Sequence, residues 1–484
     1  MSEPEGPGRR PTPLDPSGEL RGLADDCVHC GFCLPACPTY QLWGEEMDSP
    51  RGRIHLMSQI LEGAEGTQAA AVHLDRCLGC MACVTACPSG VRYDRLIEAA
   101  RGWAEEPAAA PAPPGPPSSA EPRHGPPPTG PARPLPLRAR RERAVRAAIF
   151  SVFPYPRRLR LAIVPLRAAQ WARLDALLGR SGLADRLSPE LAAALRLAPE
   201  SPPRRGRLVH RGATRPAARS RALPERVPAR SARRAVVGML TGCVQQVFFP
   251  QVNAATASVL AAEGCDVVIP AGQGCCGALS WHGGRTAEAA GFARRAIETF
   301  ERAGVDAVVV NSAGCGSAMK EYEELLAGDA GWSGRAAALA GRVRDLSEFL
   351  VELGPAAPRH PLPVTAAYHD ACHLAHAQRI TGQPRELLTA IPGLRLADIA
   401  DGSICCGSAG IYNLVQPEAA RELGQLKAEN VAATRADVLV TGNPGCAMQI
   451  ASALAARGAP MPMAHIAEVL DASIHGAGPS ALLA

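Results

Sequence analysis

The chain has 484 residues, too many for one compact core, with 47% apolar and 20% charged residues and a formal net charge of +5, which excludes fibrous and disordered classes. No stretch reaches the roughly 18 uninterrupted apolar residues of a spanning helix; the nearest, residues 147–166, is cut by Pro154, Pro156, Pro165 and three arginines, so no transmembrane segment is expected. Met1 to Leu20 is rich in Pro and Gly without an apolar run, so neither a signal nor an anchor is expected there, and the 17 cysteines read as metal ligands in a cytoplasmic protein.

The first predicted unit is built on two cysteine runs. Cys27-x2-Cys30-x2-Cys33-x3-Cys37-Pro38 recurs 50 residues later as Cys77-x2-Cys80-x2-Cys83-x3-Cys87-Pro88. Three closely spaced thiolates wrap three corners of an iron-sulfur cube, and in two-cluster ferredoxins the fourth cysteine of each run crosses to the other cluster. The pattern predicts a helical two-cluster 4Fe-4S ferredoxin-type domain over 20–103. Cys27, Cys30, Cys33 and Cys87 are assigned to cluster 1, and Cys77, Cys80, Cys83 and Cys37 to cluster 2. The proline after each run disfavours helix at the fourth cysteine, which leaves that segment free to turn toward the other cluster. Zinc sites use two-cysteine knuckles rather than such runs. Nothing in this unit supplies an evident general base or substrate cradle; its expected role is electron transfer, with no catalytic residue assigned.

Residues 104–234 read as a connector. Its first third is mostly Pro, Ala, Gly and Ser, which cannot bury enough apolar surface to order itself. Arg138 to Leu197 carries apolar residues at helical spacing, among them Trp171, Leu174, Leu177 and Leu178, so short amphipathic helices are expected there. From Arg133 to Arg234 there are 25 Arg against 6 acidic residues, a charge of +19, so in a chain whose total is +5 the remainder carries −14. A solvated connector is the plain reading, and docking on an acidic partner or anionic membrane the sharper one. Nucleic acid is not expected, because Arg204 to Arg234 has no aromatic stacking platform.

The C-terminal half repeats itself. Cys243 aligns with Cys372, Cys275-Cys276 with Cys405-Cys406, and Cys315 with Cys446, at offsets of 129, 130 and 131 residues. β-Branched runs alternate with Ala-, Glu- and Arg-rich segments, the pattern of βαβ units around a parallel sheet. Two sister α/β cysteine-rich domains marked by Cys-Cys-Gly (CCG) are expected, over 235–355 and 362–472, giving an α+β multidomain chain. In the first, Ala235 to Leu240, Asp266 to Ile269 and Asp306 to Val310 read as strands, with helices over Pro250 to Glu263 and Thr286 to Ala303.

Each repeat offers four thiolates near strand ends, where loops of a parallel sheet converge. Cys243, Cys275, Cys276 and Cys315, and Cys372, Cys405, Cys406 and Cys446, are therefore candidate ligands of further iron-sulfur centres. Gly277 and Gly407 follow the paired cysteines, where a Cβ would obstruct the turn. Cys265, outside every set and just before a strand, reads as structural. His282, His369, His373 and His376 lie close by and read as hydrogen-bonding support, with ligation or proton transfer the alternatives. Gly272-Gln273-Gly274-Cys275-Cys276-Gly277 formally matches a dinucleotide fingerprint, but the expected helix begins about nine residues too late and two variable positions are the repeated cysteines.

These residues together resemble the iron-sulfur subunit of bacterial glycolate oxidase (glycolate dehydrogenase). The resemblance rests on Cys27-Val28-His29-Cys30-Gly31-Phe32-Cys33, Cys37-Pro38-Thr39-Tyr40-Gln41-Leu42, Asp48-Ser49-Pro50-Arg51-Gly52-Arg53-Ile54, Cys87-Pro88-Ser89-Gly90-Val91-Arg92-Tyr93, Gly274-Cys275-Cys276-Gly277-Ala278-Leu279 and Cys405-Cys406-Gly407-Ser408-Ala409-Gly410. It covers most of the chain outside residues 104–234. It implies an oxidoreductase subunit that relays electrons from a separate FAD subunit, which oxidises glycolate to glyoxylate, toward a quinone-linked or other membrane acceptor, the chain itself sitting in the cytoplasm or peripherally on the inner membrane face. The Asp-x-Pro-Arg-Gly-Arg segment is shared with the third subunit of anaerobic glycerol-3-phosphate dehydrogenase, so lactate or glycerol 3-phosphate are alternative substrates of such a complex. The repeats also resemble those of heterodisulfide reductase, where Cys-x-x-Cys closes each copy. Here Ser312 and Asn443 stand at the first position of that pair, which weighs against disulfide chemistry.

Overall fold

The computed structural model describes residue 14 and residues 18–63, 67–105, 137–171, 189–197 and 223–483. Most of the Pro-rich first third of the connector, Leu174, Leu177 and Leu178, and the arginines between 204 and 221 lie outside the described residues.

The N-terminal module is helical: α1 Glu19–Asp25, α2 Pro38–Trp43, α3 Pro50–Leu61, α4 Thr67–Asp75, α5 Ala82–Ala86 and α6 Tyr93–Glu105. Ile54, Met57, Leu74, Leu96 and Ile97 form its core together with Cys77 and Cys83, so one apolar cluster both holds the helices and encloses thiols. In the connector, α7 Leu137–Val152 and α8 Pro156–Trp171 form the expected helices, followed by a third at Pro189–Leu197. Pro156 opens α8, where its missing N–H costs nothing, but Pro165 stands inside that helix. Phe150 of α7 packs on Ile411 and Leu414, and Leu159 and Ile163 of α8 on Val247, which seats the connector against both repeats. No helix among the described residues is long and apolar enough to cross a membrane.

The two repeats form two sheets of matching order. The first has β1 Arg226–Val227, β2 Ala235–Met239, β3 Cys265–Val268, β4 Ala307–Val310 and β5 Val343–Asp345, in the order β1-β3-β2-β4-β5. The second has β6 Thr365–His369, β7 Arg395–Ala397, β8 Val438–Thr441 and β9 Met463–His465, in the order β7-β6-β8-β9. Apart from β1, which runs antiparallel to β3, the strands pair in parallel. Strands buried on both faces explain the near-continuous Val and Ala runs, for instance Val237, Val308 and Val309 against Ala366, Leu439 and Val440. The helices expected at Pro250 and Thr286 are present, ending at Ala262 and Ala303.

Two local expectations need correction. Cys265 is the first residue of β3 rather than its predecessor, fully buried in the apolar core shared by the two sheets. A short helix, Ala278–His282, opens directly after Gly277, nine residues being too long an estimate of the gap. The left-handed backbone of Gly277 (φ +88) and of Gly407 (φ +87) ends each Cys-Cys pair, and an added Cβ would meet Ala289 O at 3.1 Å or Ala420 O at 2.7 Å. Glycine is thus required by the close passage of a following helix as well as by the turn itself.

Candidate metal centres

Each N-terminal cysteine run wraps because two of its residues adopt left-handed backbone. His29 (φ 53) and Gly31 (φ 88) flank Cys30; Gly79 (φ 64) and Met81 (φ 61) flank Cys80. This alternation coils the loop so that three thiols face one volume. Both fourth cysteines are extended, Cys37 at φ −91, ψ 114 and Cys87 at φ −83, ψ 115, as the following prolines require.

Two cavities result. Cys27, Cys30, Cys33 and Cys87 line the first; Cys37, Cys77, Cys80 and Cys83 line the second. The fourth cysteine of each run therefore faces the other run's cavity. Pro50, Cys83 and Tyr93 line both, so the cavities are neighbours separated by single side chains. The first lies near solvent, with Cys30 exposed and Val28 and Phe32 69% and 68% exposed, whereas Cys77, Cys80 and Cys83 are buried.

The Asp-Ser-Pro-Arg-Gly-Arg segment braces both loops, and each residue has a separate task. Ser49 caps α3 by accepting from Gly52 N, and Pro50 starts the helix. Arg51 Nη1 donates to His29 O at 3.1 Å in the first loop. A Cβ on Gly52 would lie 1.9 Å from Glu46 O, so only glycine fits. Arg53 and Asp48 are both fully buried; Asp48 accepts from Arg53 Nη2 at 3.3 Å and Arg76 Nη1 at 2.9 Å, and Arg53 Nη1 donates to Thr39 Oγ1 beside Cys37. Burial drives the Cys77 thiol upward, but Arg53 and Arg101, with donation from Tyr93 Oη and Gly79 N, outweigh it and leave Cys77 lowered. Burial and the neighbouring thiols push Cys80 and Cys83 well up, the Ala82 N–H beside Cys80 being too little to offset them. Ligation requires the thiolate, so the cationic surroundings favour the metal-binding form of Cys77.

The repeats gather their cysteines as well. Cys243 Sγ and Cys275 Sγ are 3.5 Å apart, and Cys372 Sγ and Cys405 Sγ 4.0 Å. Hydrogen bonding from Cys275 and then Cys315 holds Cys276 well below its ordinary range. In the second set, Cys405 and burial push Cys372 up, while Asn443 Nδ2 donates to Cys446 Sγ at 3.4 Å. His369, Cys406 and Cys446 place donor atoms within 4.8 Å of one another.

The second set adjoins the N-terminal module. Cys80, Cys372 and Cys405 share one buried cluster with Leu78 and Tyr412. His376 Nε2 donates to Ser403 O at 2.9 Å and Nδ1 lies 2.8 Å from Thr85 Oγ1 of α5, which ties the two together. His282 meets Glu98 of α6 at 3.0 Å; burial pushes Glu98 up to about 8 and His282 down to about 4, so a neutral pair replaces an ion pair. The hydrogen-bonding role expected of the four histidines holds for His282, His376 and His373, whose Nδ1 lies 3.6 Å from Cys372 Sγ. His369 departs from it: neither ring nitrogen has a partner.

Comparison with known proteins decides the family. Residues 23–91 match the 4Fe-4S dicluster domain, 237–320 and 366–451 the cysteine-rich domain, and 141–198 the linker region of the glycolate oxidase iron-sulfur subunit. The glycolate oxidase iron-sulfur subunit of Escherichia coli strain K12 is 36% identical over 442 residues, 90% of this chain and 91% of that protein. The probable glycolate oxidase iron-sulfur subunit of Bacillus subtilis strain 168 is 35% identical over 432 residues, 88% of each. The chain belongs to the family of glycolate oxidase iron-sulfur subunits.

Lactate utilization protein A of Shouchella clausii is similar over a shorter stretch, 33% identical over 241 residues, 49% of this chain. Those 241 residues are 98% of that protein. Several residues around the thiols escaped the sequence reading. Lys427 is buried beside the second set, donating to Asp401 O and Gly402 O, and Tyr93, Arg101 and Glu98 surround Cys77 and His282. In sequence Lys427, Arg101 and Glu98 sit in helices as ordinary amphipathic positions with no motif to single them out, and Tyr93 closes the motif after Cys87 without any sign that it reaches Cys77.

Proposed function

We propose that this chain relays electrons within a glycolate-oxidising complex. In this reading Cys27, Cys30, Cys33 and Cys87 hold one 4Fe-4S cluster, and Cys77, Cys80, Cys83 and Cys37 the other. Such clusters supply one-electron couples whose potentials follow sulfur hydrogen bonding and solvent exposure. A separate FAD subunit oxidises glycolate to glyoxylate and docks at the Cys27–Cys33 loop. The side chains of this chain would fix the order of the sites, from the exposed first site to the buried second site and then the cysteine set of the second repeat, each of which would need a bound iron-sulfur group to take up an electron. A quinone-linked acceptor at the membrane face receives the electrons.

The observation that carries the reading is the adjacency of the cysteine sets: the first two cavities share Cys83, and Cys80 of the second touches the cluster containing Cys372 and Cys405. Val28 and Phe32, apolar and exposed beside Cys30, support docking of a partner there. Serine variants test the assignment of ligands. Cys87→Ser should perturb the paramagnetic signal of the exposed cluster, and Cys37→Ser that of the buried one. Loss confined in each case to the cluster of the same run would reject the crossed arrangement.

A further inference from the structure

We propose that His369 is a nitrogen ligand of the centre held by the second repeat, which makes that centre a five-donor site of mixed nitrogen and sulfur while its sister in the first repeat is all thiolate. This rests on the reading that Cys372, Cys405, Cys406 and Cys446 hold an iron-sulfur centre.

Position supplies the first argument. His369 is the last residue of β6, three before Cys372, and its ring nitrogen, Cys406 Sγ and Cys446 Sγ lie within 4.8 Å of one another. Cys372 and Cys405 continue the same group of donors.

Its surroundings supply the second. The residue is 1% exposed and both ring nitrogens are without partners. A neutral imidazole carries one donor and one acceptor, and burying both without partners is costly because the hydrogen bonds lost to water are not replaced. His376 bonds to Ser403 and Thr85 and His465 to Asn311 and Ala467, so both avoid that cost, and His282 and His373 each leave only Nε2 unmatched; among the described histidines only His369 has both nitrogens buried without a partner. A metal bond would use the lone pair that His369 leaves unmatched.

The third argument is the broken symmetry of the repeats. Three residues before Cys243, just past the end of β2, stands Leu240, buried with Cys243, Cys275 and Cys276. Apolar packing is therefore sufficient at this position, and a histidine there adds only a donor. Replacing thiolate by neutral imidazole raises an iron-sulfur potential. A neutral fifth donor leaves the site's charge as the four thiolates set it, so the centre titrates above the same site with a fifth thiolate at this position.

Pulsed paramagnetic resonance on the anaerobic full-length chain, labelled with 15N-histidine, tests this. Wild type should show a directly bonded nitrogen coupling that changes with the isotope and disappears in His369→Leu, the residue the first repeat uses. His369→Cys should keep its iron and titrate at a lower potential. No such coupling in wild type, while Cys406→Ser loses iron and sulfide, would overturn the histidine assignment alone. Iron and sulfide equal to wild type in Cys406→Ser would instead overturn the reading of the second set, and this proposal with it.

Discussion

Ser312 Oγ donates to Asn443 Oδ1 at 3.3 Å, and these two residues occupy the same place in the two repeats, 131 residues apart. Beside them Ala313 N donates to Gly442 O at 3.1 Å. The repeats thus meet through the loops that carry Cys315 and Cys446. Asn443 turns from this contact to donate to Cys446 Sγ, so the interface between repeats also orients a thiol.

Asn443→Ala removes that donor from the sulfur. Hydrogen bonds to cluster sulfurs raise reduction potentials, so the second-repeat centre should titrate at lower potential, with a stability loss of about 1 kcal/mol. Ser312→Ala should cost a similar stability with a smaller change in potential. Equal midpoints in both variants and wild type would show that the amide does not act on the sulfur.

Asp48→Asn leaves Arg53 buried without its carboxylate. Breaking a buried pair from one side costs about 3–5 kcal/mol, so the melting temperature should fall by several degrees. Because Arg53 also holds Thr39 beside Cys37, iron bound by the N-terminal module should fall too. Wild-type iron content and melting would remove Asp48 from the account.

Phe32→Asp changes an exposed ring next to Cys30 without touching the core. Iron content should stay at the wild-type level, while reduction of this chain by the flavoprotein partner with glycolate should slow at least roughly tenfold, the loss of one good interfacial anchor. An unchanged rate would move the docking surface elsewhere.

His465 predicts acid sensitivity. Its Nε2 donates to Asn311 O at 2.9 Å across the repeats and its Nδ1 accepts from Ala467 N as a helix cap; burial lowers it from 6.5 to about 4. Between those values the unfolded chain binds a proton that the native state refuses. The contribution is therefore present above pH 6.5 and is lost as pH falls toward 4, on the order of 3 kcal/mol in all. His465→Asn keeps a capping side chain but loses the reach to Asn311, so it should cost about 1 kcal/mol at pH 7. Melting curves should show that deficit shrinking at pH 5; a constant deficit would refute it.

The parts of this molecule that were legible in the sequence are those whose chemistry is local. Eight cysteines in two runs specify two wrapping loops, and Pro38 and Pro88 specify which cysteine leaves each loop. The repeat was readable because Cys243 and Cys372 anchor sister folds whose strand order is the same. What stayed hidden depends on contacts between distant segments: Glu98 against His282, 184 residues away, and Thr85 against His376, 291 residues away. No periodicity records such pairs. His369 was visible as a histidine near a cysteine, but only packing showed that its ring has no hydrogen-bonding partner.

The most direct measurement is rapid-freeze paramagnetic resonance of the anaerobic complex after glycolate is added. The account predicts reduced 4Fe-4S signals from this chain within the turnover time, appearing only when the flavoprotein subunit is present. Clusters that stay oxidised while the flavin is reduced and glyoxylate accumulates would contradict it.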